Sequence, residues 1–364
     1  MVNKTELFFS LIRFSISADA PLPEGIGKDD WLDLYELAKR HALLGVLYRG
    51  IERLPHEVQP ARDVAVPWFM ASERIVGMNR KANVNAARLT ERFAKDGMRC
   101  CVLKGQGNCT YYPDAFMRTP GDIDAWIEGD DRGIIGYIRR IMPTAVAYYH
   151  HIDAPAFGGT PVEVHYRPSF QFNFIHNRRL QKWFRECAPE QFGNIVELAD
   201  GAGRIAMPTL RFNRVFQMSH IANHVLHEGI GLRQLLDYYF LLKKGFTDED
   251  RNEYRGLMRR FGMYKMSGAV MYVLREVFGM PDEWLIVEPH ERCGRMLLEE
   301  IMKAGNFGHY DERIGERDRQ SKLRMNILRL KRDVRMMSYF PSECLSEPFF
   351  RLYHFFWRRR VIDI

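Results

Sequence analysis

The sequence predicts an α+β chain, with an α/β unit over residues 98–207 set between a helical N-terminal region, 1–97, and a helical C-terminal half, 208–364. Three observations predict it. Apolar residues recur at steps of three and four as far as Asp96-Gly97, short apolar and alternating runs follow, and helical spacing resumes after Pro208.

The opening run MVNKTELFFSLIRFSISADA has Arg13 inside its apolar stretch and no convincing small-residue cleavage site, so it reads as an amphipathic helix. Over 29–49, Trp31, Leu34, Leu37, Ala38 and His41 share one face and Gly50 marks the end, which predicts a single core-facing helix. A longer helix over 68–96 is expected to bury Ile75, Met78, Ala82, Ala86, Leu89 and Phe93.

RCCVLKG then predicts a short strand ending in glycine, and DIDAWIEG a second strand. DDRGIIGYIRRIM is helical, TAVAYYHHI and PVEVHYRP are strands paired across a turn in DAPAFGGT, and FGNIVELADGAGRIAMP is a hairpin. Helices follow in NRVFQMSHIANHVLHEG and GLRQLLDYYFLLKKG, and over 249–262, 264–279, 291–304 and 317–338. In the last, Leu323, Ile327, Leu330, Val334 and Met337 form a stripe among basic residues, and Trp357-Arg358-Arg359-Arg360 extends that basic region. Its default reading is a solvated helical face, with RNA or an anionic membrane surface as alternatives.

With 364 residues, 46% hydrophobic and 27% charged, the chain can bury a large core. A formal charge of +7 permits a phosphate-bearing ligand without requiring nucleic acid. Six cysteines lack the spacing of a zinc site or a disulfide framework. No run reaches the roughly eighteen uncharged apolar residues of a membrane span, and a cytoplasmic location is expected.

The chemistry concentrates in Leu103-Lys104-Gly105, Tyr112 and Arg118-Thr119-Pro120-Gly121-Asp122-Ile123-Asp124. Alternate residues of a strand share a face, so Asp122 and Asp124 project together while Ile123 turns to the core. Two such carboxylates suit Mg²⁺, with Mn²⁺ as the alternative, and leave coordination room for triphosphate oxygens. Glu163, between Val162 and Val164, is the candidate third acid, either as a metal ligand or as a base. Gly105 would let its backbone approach phosphate, with Lys104 and Arg118 supplying charge. Tyr112, His165 and Arg233 are weaker candidates for the cleft or the acceptor, and Arg233 with Asp237 reads as a helical ion pair. His220, His224 and Glu228 share a helix face that is expected to pack or to line the cleft.

The run Lys104–Ile127, with Val162-Glu163-Val164-His165, resembles the uncharacterised nucleotidyltransferases of the DNA-polymerase-β-like superfamily. Those proteins share a Lys-Gly turn, a downstream Tyr, an Arg, a Gly-Asp-Ile-Asp strand and a Val-Glu-Leu-His type strand. The likeness extends towards His220, His224 and Gly231-Leu232-Arg233 through Asp237, covering about 98–242. It implies a small mixed sheet with helices. It also implies transfer of a nucleoside monophosphate from a triphosphate such as ATP to a hydroxyl or phosphate acceptor, with release of pyrophosphate. Where the wider superfamily usually has serine after the glycine, this chain has Gln106, and Lys104 offers charge instead. The acceptor class stays open between a small molecule, a peptide or protein, and RNA. Two alternatives stand beside this reading: a non-catalytic nucleotide-binding protein of the same fold, and a sugar-nucleotide transferase using Asp-x-Asp.

Overall fold

The structure is a computed structural model that describes residues 4–306, 310 and 322–362. Helix α1 (Lys4–Ile16) is followed by α2 (Asp30–Arg40), α3 (Leu44–Ile51) and the 34-residue α4 (Arg62–Lys95). The single helix expected over 29–49 is therefore two. It breaks because Ala42 adopts φ +57°, after which the Leu43 N–H closes back on Ala38 O at 2.8 Å. On α4, Ile75, Ala82, Ala86, Leu89 and Phe93 are buried, whereas Met78, expected among them, faces solvent.

These helices grip the loop that leads to the acids. The Asn79 amide donates to Phe116 O at 2.6 Å and to Arg118 O at 2.8 Å, and the Thr119 hydroxyl donates to Ala42 O at 2.8 Å. Gly45 has to be glycine, since a Cβ there would lie 2.4 Å from Met117 O.

The central unit comprises β1 (Cys100–Val102), the short α5 (Gln106–Cys109), β2 (Ile123–Ile127), α6 (Asp131–Ile141), β3 (His151–Phe157) and β4 (Thr160–His165). The sheet has order β1-β2-β4-β3, with β2 parallel to β4 and the outer pairs antiparallel, so it is mixed. One face carries Val102, Ile123, Ala125, Ile127, Val162 and Val164 into a core with α4 and α6. The opposite face carries Cys101, Leu103 and Trp126 towards the C-terminal helices.

Strand β3 departs from the expectation. It starts at His151 and runs through Asp153-Ala-Pro-Ala-Phe157, and only Gly158-Gly159, both at positive φ, make the turn. Residues 144–149 contribute one isolated bridge, Ala147 to Ile152. Pro155 is tolerated because β3 is an edge strand with an irregularity between Ala154 and Phe157.

Then come α7 (Phe174–Gln191), which the sequence reading did not anticipate, and the hairpin β5 (Ile195–Glu197) and β6 (Arg204–Ala206). The C-terminal half holds α8 (Leu210–His227), α9 (Leu232–Lys243), α10 (Asp248–Arg260), α11 (Tyr264–Phe278), α12 (Glu291–Ala304), α13 (Lys322–Met337) and α14 (Pro341–Ile362). Residues 317–321 of the helix expected over 317–338 lie outside the described residues, as does the side chain of Leu323. Ile327, Leu330 and Val334 of its stripe are exposed, while Met336 and Asp333 turn inward. Residues of α1, α8, α9, α11, α12 and α14 share one core, in which α1 packs on α11. No helix among the described residues is long and apolar enough to cross a membrane.

Candidate active site

Because β2 and β4 run parallel in the register Ile123↔Val162 and Asp124↔Glu163, the two acids are cross-strand neighbours on the face away from the α4 and α6 core. Asp122 stands one residue before β2 on the same face. Asp122, Asp124 and Glu163 each offer a carboxylate oxygen within 4.8 Å of the others. On β3, Asp153 pairs with Glu163 in turn, which sets three acids side by side across the sheet.

Like charges in that register repel, and the groups beside them show how the fold accommodates this. The Lys104 ammonium lies 2.7 Å from Asp124 Oδ1. His165 Nε2 lies 3.1 Å from the same oxygen and 3.5 Å from Glu163. The charge of Asp124, followed by burial, pushes Asp122 up to about 6. Burial alone would raise Asp124, but the charge of Lys104 and the His165 bond hold it well below the usual carboxylate range. Burial likewise opposes ionised Glu163, yet the His165 bond and His151 bring it down to about 2. For His165, burial opposes the proton and the bonds to Asp124 and Glu163 outweigh it, so its pKa rises to about 9. The ionised acids still outnumber the cations touching them.

This asymmetry sets a pH dependence. A divalent cation binds ionised Asp122, so its affinity is expected to climb as pH rises through about 6 and then level off. Without metal the sign is reversed. The unfolded carboxyl ionises near 4 and the folded one at about 6, so the contribution of Asp122 to stability falls with rising pH between those values and is flat above them, and it is read as the difference between the parent and Asp122→Asn. Calorimetric Mg²⁺ titrations and urea unfolding across that range check both slopes, and Asp122→Asn is expected to flatten them.

Gly105 follows β1 at φ +55° and opens α5, and a Cβ there would meet Asp122 O at 3.3 Å. The glycine turn therefore lies directly against the acids. A cleft of about 540 Å³ opens over them, within the usual range for small-ligand pockets. Lys104, Gly105, Gly121, Arg233 and the three acids line one side, and His220, His224, Phe350 and His354 of α8 and α14 line another. His220 Nε2 is 3.4 Å from the Lys104 ammonium, and burial, then the charge of that lysine, holds the imidazole well below its ordinary pKa.

Arg118 lines the same cleft as the acids and is tied to a partner the sequence did not suggest. Its guanidinium is buried and donates two bonds to Asp237, at 2.7 and 2.8 Å, while the Tyr112 hydroxyl donates to the same carboxylate at 2.7 Å. Asp237 thus pairs directly with Arg118, and the charge of Arg233 also acts on it. Arg233, itself buried, lines the cleft and donates to Thr119 O at 3.0 Å.

Sequence reasoning missed His151 and Asp153, because the residues around them were assigned to the wrong strand and to a turn. The Gly158-Gly159 pair was the available signal. A two-residue turn there sets Phe157 opposite Thr160, and counting back across one irregularity brings Asp153 opposite Glu163. His151, Glu163 and His165 form a second group within 4.8 Å that shares Glu163 with the first. The cleft wall from α14 carried no comparable signal.

A family model described as uncharacterised nucleotidyltransferase matches residues 27–279, well over half of the chain. No curated protein and no solved structure gives a significant match.

Proposed function

The chain belongs to the uncharacterised nucleotidyltransferase family, and from that premise we propose that Asp122, Asp124 and Glu163 form its catalytic centre. The reaction we infer is attack by an acceptor oxygen on the α-phosphorus of a nucleoside triphosphate. The bond from that phosphorus to the bridging oxygen breaks, and pyrophosphate leaves. The observation that carries this reading is the Asp124↔Glu163 register, which puts three carboxylates beside a glycine turn.

The donor set supports a hard cation. The three acids supply only oxygen, which suits Mg²⁺ or Mn²⁺, while His165 keeps its proton at neutral pH and is a poor metal ligand. When bound, such a cation screens the phosphate charge and lowers the pKa of the acceptor. Glu163, depressed to about 2, is a weak base and fits the ligand role better than the base role. Lys104 lies 2.7 Å from Asp124 and is the cation of this chain placed to meet the phosphates of a triphosphate held beside the acids. Gly105 offers its backbone from the adjoining turn. Arg118 and Tyr112 act by positioning, through Asp237, and Arg233 lines the cleft as a candidate contact for phosphate or acceptor.

The acceptor is a small molecule, a peptide or protein, or RNA. The compartment we infer is the cytoplasm, which supplies triphosphates and keeps the six free cysteines reduced.

The test is calorimetry with ATP, GTP, CTP and UTP in the presence of Mg²⁺, followed by measurement of pyrophosphate release with candidate acceptors. Lys104→Ala is expected to weaken triphosphate binding about ten- to a hundredfold, as the loss of a charged hydrogen bond does. Undiminished binding in that variant, with a preference for nucleotide sugars, would favour sugar-nucleotide transfer. Triphosphate binding without pyrophosphate release for any acceptor, the chain itself included, would favour a non-catalytic binder.

A further inference from the structure

On α14 the side chains of Leu345, Phe349, Leu352 and Phe356 recur at steps of four, three and four, and all face solvent, Phe349 with 67% of its surface exposed. On α13, Ile327, Leu330 and Val334 do the same, Val334 at 62%. The two stripes meet, because Ile327, Leu330, Pro348 and Leu352 line one shallow open groove between the helices. A continuous apolar face of this extent is unusual on a surface that touches only water.

The charges around it have one sign. From residue 327 to 360 the acids are Asp333, Glu343 and Glu347, and all three are buried, Glu347 at 1% exposure. The basic residues Lys331, Arg335, Arg358, Arg359 and Arg360 are exposed. Arg335 reaches back to Glu300 at 3.0 Å, and the Arg359 guanidinium lies 4.3 Å over the Phe355 ring. Among the described residues, the outer side of α13 and α14 therefore shows aliphatic and aromatic groups edged by cations.

We propose that this face docks on an anionic lipid surface, with the stripe at the acyl boundary and the arginines among the headgroups. Charge complementarity selects this occupant. A second copy of the chain would set the same cations against themselves, and RNA would leave five branched aliphatic side chains without a partner. The attachment is peripheral. It stands independently of nucleotidyl transfer, although the inward side of α14 lends Phe350 and His354 to the cleft, so docking would hold that wall in place.

The experiment is co-sedimentation of the full chain with phosphatidylcholine vesicles, with and without phosphatidylglycerol, at low and high salt. Binding is expected only when phosphatidylglycerol is present, falling about tenfold or more in high salt. The double variants Phe349→Ser/Leu352→Ser and Arg358→Glu/Arg359→Glu should each lose binding while keeping the parent melting temperature, since these positions are exposed. The proposal is overturned if neither vesicle binds, or if neutral and anionic vesicles bind alike. It is also overturned by a dimer in sedimentation equilibrium that the serine variant dissolves, or by RNA binding that the serine variant leaves intact.

Discussion

Asparagine at position 124 is expected to lower nucleotidyl transfer on the order of a thousandfold while the chain stays folded. The substitution keeps the shape of the side chain and removes one charge from the point where β2, β4 and Lys104 converge. A carboxylate that holds a divalent cation in a phosphoryl-transfer site supplies several kcal/mol of transition-state stabilisation, and each 1.4 kcal/mol is about tenfold in rate. Asp124 is also the oxygen shared by the Lys104 ammonium and the His165 imidazole, so its charge orients both. Loss of pyrophosphate release together with weakened Mg²⁺ binding is the expected pattern. Unchanged Mg²⁺ affinity in Asp124→Asn would mean that the cation, if there is one, sits elsewhere.

The second large effect is on stability. Asp237→Ala is expected to cost about 3–5 kcal/mol in urea unfolding, because it leaves the buried Arg118 guanidinium without its countercharge. The Tyr112 hydroxyl loses its acceptor in the same step. Replacing both members, Arg118→Leu with Asp237→Leu, should recover most of that loss, since a well-packed apolar pair can substitute for a buried ion pair. The loop between Tyr112 and Asp122 is fastened at this pair, at Asn79 and at Ala42. Residual activity in the double-leucine variant then reports how far Arg118 acts through position alone. Full stability of Asp237→Ala would show that Arg118 finds another countercharge and that the pair does not hold the loop.

Much of the fold was legible because its signals are local. The change from steps of three and four to steps of two located the sheet, and the i, i+2 spacing put Asp122 and Asp124 on one face. Val162 and Val164 flanking Glu163 gave its orientation in the same way. What was missed depends on partners distant in the chain. Arg118 pairs with Asp237 across 119 positions, and nothing near either residue announces it. The break at Ala42 follows from packing against the 117–119 loop, since no glycine or proline stands there. Helix α14 begins at Pro341 and carries Pro348 inside, which reads as interruption until the helix is seen. The α13 stripe shows that periodicity defines a face but not which way it points: Asp333 and Met336 won the interior and the aliphatic side was left outside.

The most direct test is anomalous diffraction from crystals soaked with Mn²⁺ and a non-hydrolysable nucleoside triphosphate. The expected result is a metal peak among the carboxylates of Asp122, Asp124 and Glu163, with the triphosphate beside Gly105 and the Lys104 ammonium. A triphosphate bound while no metal lies among the three acids would contradict the assignment.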